Sequence, residues 1–442
     1  MMLFNRGRDV LNLCGVVSRL RCVTVGSLHP SASSHAPYST TSASPFAATA
    51  TTTITDELRN MRRDRRRAEE KIAIATRSQT DATPKVPKRT TIEYPFSTNE
   101  GLRQEYTNPW GFVRLGRVLE DLDSLAGNIA FLHCDDDDPE TFPNLIVTAS
   151  VDEVKLHERL CLDKDMQLSG AVTWVGRSSL NIRMDVRQGK CKDSLADASP
   201  SLSAEFTFVA RNPVTGKSAV VHPLLPSSPE ETALFQMGEE KATRRKQARV
   251  AAASPKPGIA SNAAESSEEV ELRRALLGES RNRRELPGLS DGDAVCMDTT
   301  GLENVFVCQP QHQNMAGRVF GGFIMRRAFE LAFSTCYMFG GMRPSLLDVD
   351  EITFQKPVDV GNLMRLKSCI LHTEPETGVV HVEVEAFVMT PECVSSALSN
   401  TFNFRFRSNK SDGGKCLKRV LPSTEEEARR MMQCIIARGN SQ

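Results

Sequence analysis

The feature that most constrains this chain is an internal repeat. Asn108-Pro-Trp-Gly111, followed by Gly116, returns as Asn314-Met-Ala-Gly317, followed by Gly321-Gly322, with Asn108, Gly111 and Gly116 each recurring 206 positions later. Further on, Val151-Asp-Glu-Val-Lys-Leu156 matches Val349-Asp-Glu-Ile-Thr-Phe354, and Met166-Gln-Leu168 matches Met364-Arg-Leu366, both at 198 positions; Phe206-Thr-Phe208 matches Phe402-Asn-Phe404 at 196. A self-match whose offset drifts only where loops would lie means one structural unit used twice.

The patterning inside each copy says what that unit is. A helical pattern follows the glycines. Val118, Leu119, Leu122, Leu125, Ala126 and Ile129 share one arc of the first helix, and Ile324, Met325, Ala328, Leu331, Ala332 and Thr335 share the matching arc of the second. Alternating strands come next: 145–156, 166–175, 180–187 and 203–210 in the first copy, 346–354, 363–371, 379–389 and 399–407 in the second. A single long helix can bury its apolar stripe only if the antiparallel sheet wraps it, so the expected class is α+β with the unit in tandem.

The 442 residues, 40% hydrophobic and 25% charged, suffice for two such cores. We expect folded domains over 91–250 and 292–410. Between them, 251–291 is rich in Pro, Gly and Ser and reads as a disordered linker; 411–442 reads as a tail with a short helix. Residues 1–55 carry Arg6, Arg8, Arg19 and Arg21 against a single acid, then a Ser/Thr/Ala tract, the composition of a mitochondrial or plastid transit peptide, read here as mitochondrial, and 56–90 forms a charged connector. The expected location is the mitochondrial matrix.

The 55 basic residues balance the 55 acidic ones, and the run around Arg62 to Arg67 lacks interleaved aromatics, so no nucleic-acid partner is expected. No run has the length of a membrane span. The twelve cysteines form no metal-binding spacing, and no metal is expected. A Gly-x-Ser-x-Gly elbow is also missing, which disfavours a serine hydrolase.

Gly321-Gly322 at a helix start allows two readings. Bare backbone N–H groups there can receive a developing oxyanion, or the glycines only let the helix pack closely against the sheet.

Gly321-Gly322-Phe-Ile-Met, preceded by His312-Gln-Asn314-x-x-Gly317, resembles the signature of hot-dog acyl-CoA thioesterases. Arg117-Val-Leu-Glu-Asp-Leu-Asp-Ser-Leu-Ala-Gly127 and Phe320 to Ala332, with Phe354-Gln-Lys-Pro-Val358, resemble the mitochondrial members with two hot-dog domains per chain. The resemblance implies hydrolysis of acyl-CoA to acid and CoA, with no cofactor beyond the CoA of the substrate. It also implies a homo-oligomer, a trimer of double-domain chains. Each composite site would take an asparagine from one half and a carboxylate from the helix of the other.

Carried over residue by residue, the intact pair is Asp123 with Asn314. Its opposite, Asn108 with Phe329, lacks the acid and should be inert. Helical geometry agrees, since Asp123 lies just beyond one edge of the apolar arc. Gly317, Gly321, Gly322 and Phe323 are the expected oxyanion and substrate-binding positions, with Arg318 and Arg326 proposed for the nucleotide end of CoA. Asp121, on the other edge of the helix, is the second choice of acid, and His312 is placed to assist. Two rivals stay open: a hot-dog enoyl-CoA hydratase, although Asp123 has no histidine beside it, and a non-catalytic acyl-CoA binder.

Overall fold

A computed structural model describes residues 77–78, 82–138, 140–189, 198–253, 267–289, 292–314, 317–350, 352–408 and 417–439. The leader at 1–55 and most of the charged connector lie outside these residues.

The first copy supplies β1 (Thr90–Tyr94), helix α1 (Leu115–Cys134), β2 (Leu145–Leu156), β3 (Asp165–Val175), β4 (Ser179–Gly189) and β5 (Leu202–Arg211), then helix α2 (Pro229–Ala253). After helix α3 (Ser267–Glu285), the second copy supplies β6 (Leu302–Val307), helix α4 (Gly321–Gly340), β7 (Pro344–Val349), β8 (Leu363–Glu374), β9 (Val379–Thr390) and β10 (Ser395–Ser408), and helix α5 (Glu425–Gly439) follows.

Both helices bury the expected arcs. Every one of Val118, Leu119, Leu122, Leu125, Ala126 and Ile129 is buried on α1, as are Ile324, Met325, Ala328, Leu331, Ala332 and Thr335 on α4. The apolar stripe of each helix packs on strands of its own copy, where Phe206 and Phe208 on one side and Phe402, Phe404 and Phe406 on the other form the aromatic floor. This is the hot-dog arrangement, twice. α4 ends at Gly341, whose φ of 66° is the left-handed cap that only glycine adopts without steric cost.

The two sheets are one sheet. Its strand order is β1-β3-β4-β5-β2-β7-β10-β9-β8-β6, with Ile352–Thr353 adding a short stretch on β2. The junction pairs equivalent segments in antiparallel register, Val154 with Val349 and Val151 with Ile352. Self-complementary contact of this kind is what a two-fold axis demands. The same axis brings α1 and α4 side by side, and there the chemistry lies.

Four of these elements were not expected from the sequence. β1 and β6 add an edge strand to each copy. Helix α2 lies over the first sheet, held by Trp174 Nε1 donating to Glu239 (2.7 Å) and by the ion pairs Arg245–Asp152 and Lys241–Glu205. The expected disordered linker at 251–291 must be corrected, because it contains α3. That helix has little apolar periodicity to betray it; it is tied down by charge, through Arg284 to Asp298 and Arg273 to Glu425.

Candidate active site

Asp123 projects from α1 into the start of α4. It is 1% exposed, and its Oδ2 accepts the backbone N–H of Gly322 at 2.6 Å. Gly322 is in the first turn of α4, where backbone donors have no intrahelical partner and the helix dipole favours an anion. The Thr148 hydroxyl, on β2, donates to Oδ1 at 3.3 Å. Burial pushes the Asp123 carboxyl up to about 7, opposed by the Gly322 N–H and the Thr148 hydroxyl. An acid balanced near neutrality is suited to general-base work.

The contact is close because position 322 is glycine. A Cβ there would come to 2.7 Å from the Phe320 ring and 3.0 Å from both the Asp123 Cβ and the Glu120 carbonyl oxygen. At the symmetry-related contact, a Cβ on Gly116 would come to 3.1 Å from the Phe329 ring. The axis therefore presents two equivalent glycine contacts, one met by a carboxylate and the other by a phenyl ring. Phe329 packs on Phe404 and Phe406 instead of carrying a charge.

The asparagines occupy matching turns. Asn314 Oδ1 accepts from Arg318 N at 3.1 Å and its carbonyl accepts from Gly317 N, with Gly317 at φ 77°. Asn108 Oδ1 accepts from Trp110 N and Phe112 N, both at 3.0 Å, with Gly111 at φ 78°. Beside each turn is a cavity. Asn314, His312, Thr148, Phe320 and Phe323 line one of about 970 Å³ drawn from both halves, whereas Asn108 and Phe329 line one of about 340 Å³. The larger one is at the upper end of the range of small-molecule sites and the smaller at its lower end.

The proposed CoA-binding arginines are placed differently from each other. Arg318 is exposed and pairs with Asp359 at 3.7 Å. Arg326 lines the large cavity, but its guanidinium is held by Glu120 at 2.8 Å and Glu330 at 3.1 Å. Glu120 and Arg326 are equivalent positions of the repeat, so this pair spans the axis. This pairing was not read from the sequence, although opposite charges 206 positions apart were a legible signal. Thr148 was also missed, since nothing local marks it.

His312 stacks on the Phe323 ring with centroids 3.7 Å apart, and burial lowers its pKa, so it is neutral. Asp121, the alternative acid, accepts from the Tyr94 hydroxyl at 3.1 Å and from the Tyr106 hydroxyl. Burial raises it to about 7, opposed by the Tyr106 hydroxyl and the charge of Arg117.

A raised carboxyl has a sign in stability. The folded protein holds the Asp121 proton more tightly than the unfolded chain, so this contribution is present below the unfolded value of 3.8 and is lost as pH rises to about 7. Asp121→Asn removes the dependence. Its melting temperature relative to the parent is expected to climb between about pH 4 and 7 and then level off. A difference that stays constant across that range would contradict the shift.

Among the described residues, no group of three His, Cys, Asp or Glu side chains is arranged to hold a metal, and no helix is long and apolar enough to cross a membrane.

No family model matches the chain. Individual proteins do. The chain is 45% identical over 363 residues to a hop (Humulus lupulus) protein named acyl-coenzyme A thioesterase 4, mitochondrial, covering 80% of this chain and 67% of that one. It is 43% identical over 364 residues to hop acyl-coenzyme A thioesterase 2, chloroplastic, covering 80% and 82%. The chain belongs to the acyl-CoA thioesterases. Among solved structures, a 12:0-ACP thioesterase from Umbellularia californica is similar over 73% of this chain and 94% of its own, with 10% identity and a TM-score of 0.43. The activity of this thioesterase is hydrolysis of acyl-CoA thioesters, and the geometry above bears on how this is done.

Proposed function

We propose that acyl-CoA is hydrolysed at the interface of α1 and α4 by water that Asp123 activates, with Asn314 opposite. The observation that carries this is the 2.6 Å bond from Gly322 to Asp123, which joins the only acid of the two equivalent helix positions to a helix start. Asp123 takes a proton from water as the oxygen attacks the thioester carbonyl. The Asn314 amide holds the water or the carbonyl, and the Thr148 hydroxyl steadies Oδ1.

The timing follows from charge. Once protonated, Asp123 is a weaker acceptor, and the new oxyanion has the stronger claim on the Gly322 N–H, with the Phe323 N–H beside it. When the tetrahedral intermediate collapses, the Asp123 proton leaves with the CoA thiol. This route needs no acyl-enzyme and no cofactor beyond the CoA of the substrate. Arg318, next to the Asn314 turn, and Arg326, in the cavity lining, are the cations assigned to the nucleotide end.

Free-thiol release from acetyl-CoA through palmitoyl-CoA tests the reading and gives the chain-length preference; absence of release from every member would sink it. The pH dependence of kcat/KM is expected to rise about tenfold per pH unit on the acid side and level off near pH 7. A limb centred in the ordinary carboxylate range would remove Asp123 as the base. Asn314→Ala is expected to lose about 10²-fold or more in kcat/KM. Asn108→Ala, at the site without an acid, retains full turnover and loses about 1 kcal/mol of stability from its turn. Equal losses in both variants would contradict a single productive site.

The leader composition and a mitochondrial relative support a mitochondrial location, the matrix in particular, which imaging of the full chain fused to a fluorophore tests. The assembly implied by the resemblance is a trimer of chains, read by mass in solution.

A further inference from the structure

Far from the helix interface, a thiol, an imidazole and a carboxylate stand in line. Cys434, on α5, has its Sγ 3.3 Å from His381 Nδ1 on β9, and His381 Nε2 is 3.4 Å from Glu374 Oε1 at the end of β8. His381 is 4% exposed, so its ring is fixed by packing, and Thr377 donates to Glu374 at 2.8 Å and holds the carboxylate in turn. This is the order of parts that activates a nucleophile: a thiol against one ring nitrogen, with the other nitrogen oriented by an acceptor. With Nε2–H directed to Glu374, the Nδ1 lone pair faces the sulfur.

Among the other described cysteines, Cys161 and Cys296 lie against the Arg159 carbonyl and the Ser280 hydroxyl, and the remaining five differ further. Burial pushes the Cys134, Cys336 and Cys369 thiols up to about 12 and that of Cys308 to about 11, which leaves them inert. Cys393 is exposed and is the reference for an unassisted thiol. Cys434 is half-buried on α5, part of it packed against the core and part open to solvent.

We propose that Cys434 is a nucleophilic thiol that His381 activates and that it accepts acyl groups from acyl-CoA. In the step, Cys434 Sγ attacks the thioester carbonyl carbon and its proton passes to His381 Nδ1. The new bond joins the acyl carbon to Cys434, the bond from that carbon to the CoA sulfur breaks, and the proton leaves from His381 with CoA as its thiol. One thioester replaces another, with no oxidant or reductant. The proposal takes only the acyl donor from the thioesterase reading; it does not use the Asp123 site.

The test uses the full chain carrying Asp123→Asn, so that donor is not consumed, incubated with octanoyl-CoA and analysed by peptide mass spectrometry. The expected result is a hydroxylamine-labile octanoyl group on Cys434, formed at least about tenfold faster than on Cys393. His381→Gln brings the rate to that of Cys393, and Glu374→Gln, which leaves the ring in place, lowers it partway. Acylation of Cys434 no faster than of Cys393, or unchanged by both variants, overturns the proposal. Rapid alkylation by iodoacetamide without octanoyl transfer also overturns it. Thiol release by the parent chain is measured separately, so failure of the hydrolase reading is distinguishable.

Discussion

Asp123→Ala is expected to lower kcat about 10²- to 10⁴-fold, the range for removing a positioned general base. The alanine also strands the buried Gly322 N–H, which costs about 1–3 kcal/mol of stability. Asp123→Asn separates the two effects. Its amide oxygen can still accept from Gly322 N, so the interface is kept, but it cannot take a proton and turnover falls as far as in the alanine variant.

The same substitution removes a buried charge. Asp123 is raised from 3.8 to about 7, so its stabilising contribution is complete below the unfolded value and is lost as pH climbs to 7. At pH 8 the ionised side chain costs the fold roughly 4 kcal/mol. Asp123→Asn is therefore expected to melt above the parent at pH 8 while being nearly inactive, as calorimetry and a thiol-release assay would read. Full activity in either variant would remove Asp123 from the mechanism; a melting temperature that falls at pH 8 would contradict its burial as an anion.

The second large effect is expected from a single methyl group. Gly322→Ala places a Cβ against the Phe320 ring, the Asp123 Cβ and the Glu120 carbonyl, and two of these three cannot swing aside. Overpacking of this kind costs about 1–3 kcal/mol. The greater loss is in turnover, because the added volume wedges α1 from α4 and lengthens the bond from Gly322 to Asp123; a drop of about 10²-fold in kcat/KM is expected. The control is Gly116→Ala at the related contact, where the neighbour is the Phe329 ring at 3.1 Å. It shares the packing penalty and spares the chemistry. Similar kinetic losses in both would mean that Gly322 acts only through packing.

Much of this was legible in the sequence because the repeat could be checked against itself. The strands from 145 to 211 and from 363 to 408 alternate at their own period, and the two helix arcs were readable from spacing alone. The helical wheel put Asp123 at the edge of its arc, but only the fold shows that this edge meets the start of the other helix. Arg326 read as a cation open to the nucleotide end of CoA for the same reason: its partner Glu120 lies on a different helix. α3 escaped because ion pairs with residues distant in the chain leave no local period. Asp121 read as a rival acid because its partners, Tyr94 and Tyr106, which both donate to its Oδ2, come from segments earlier in the chain.

The pair of Glu120 and Arg326 also bears on how a nascent chain sorts its halves. Were the first half to meet another copy of itself about the same axis, Glu120 would face Glu120; for the second half, Arg326 would face Arg326. Like charges at a partly buried contact discourage both encounters, whereas the first half against the second brings the charges together. Two identical units could place no such pair on their axis. Two unequal halves in one chain can, and the opposed charges give them a code by which each half recognises the other and refuses its twin.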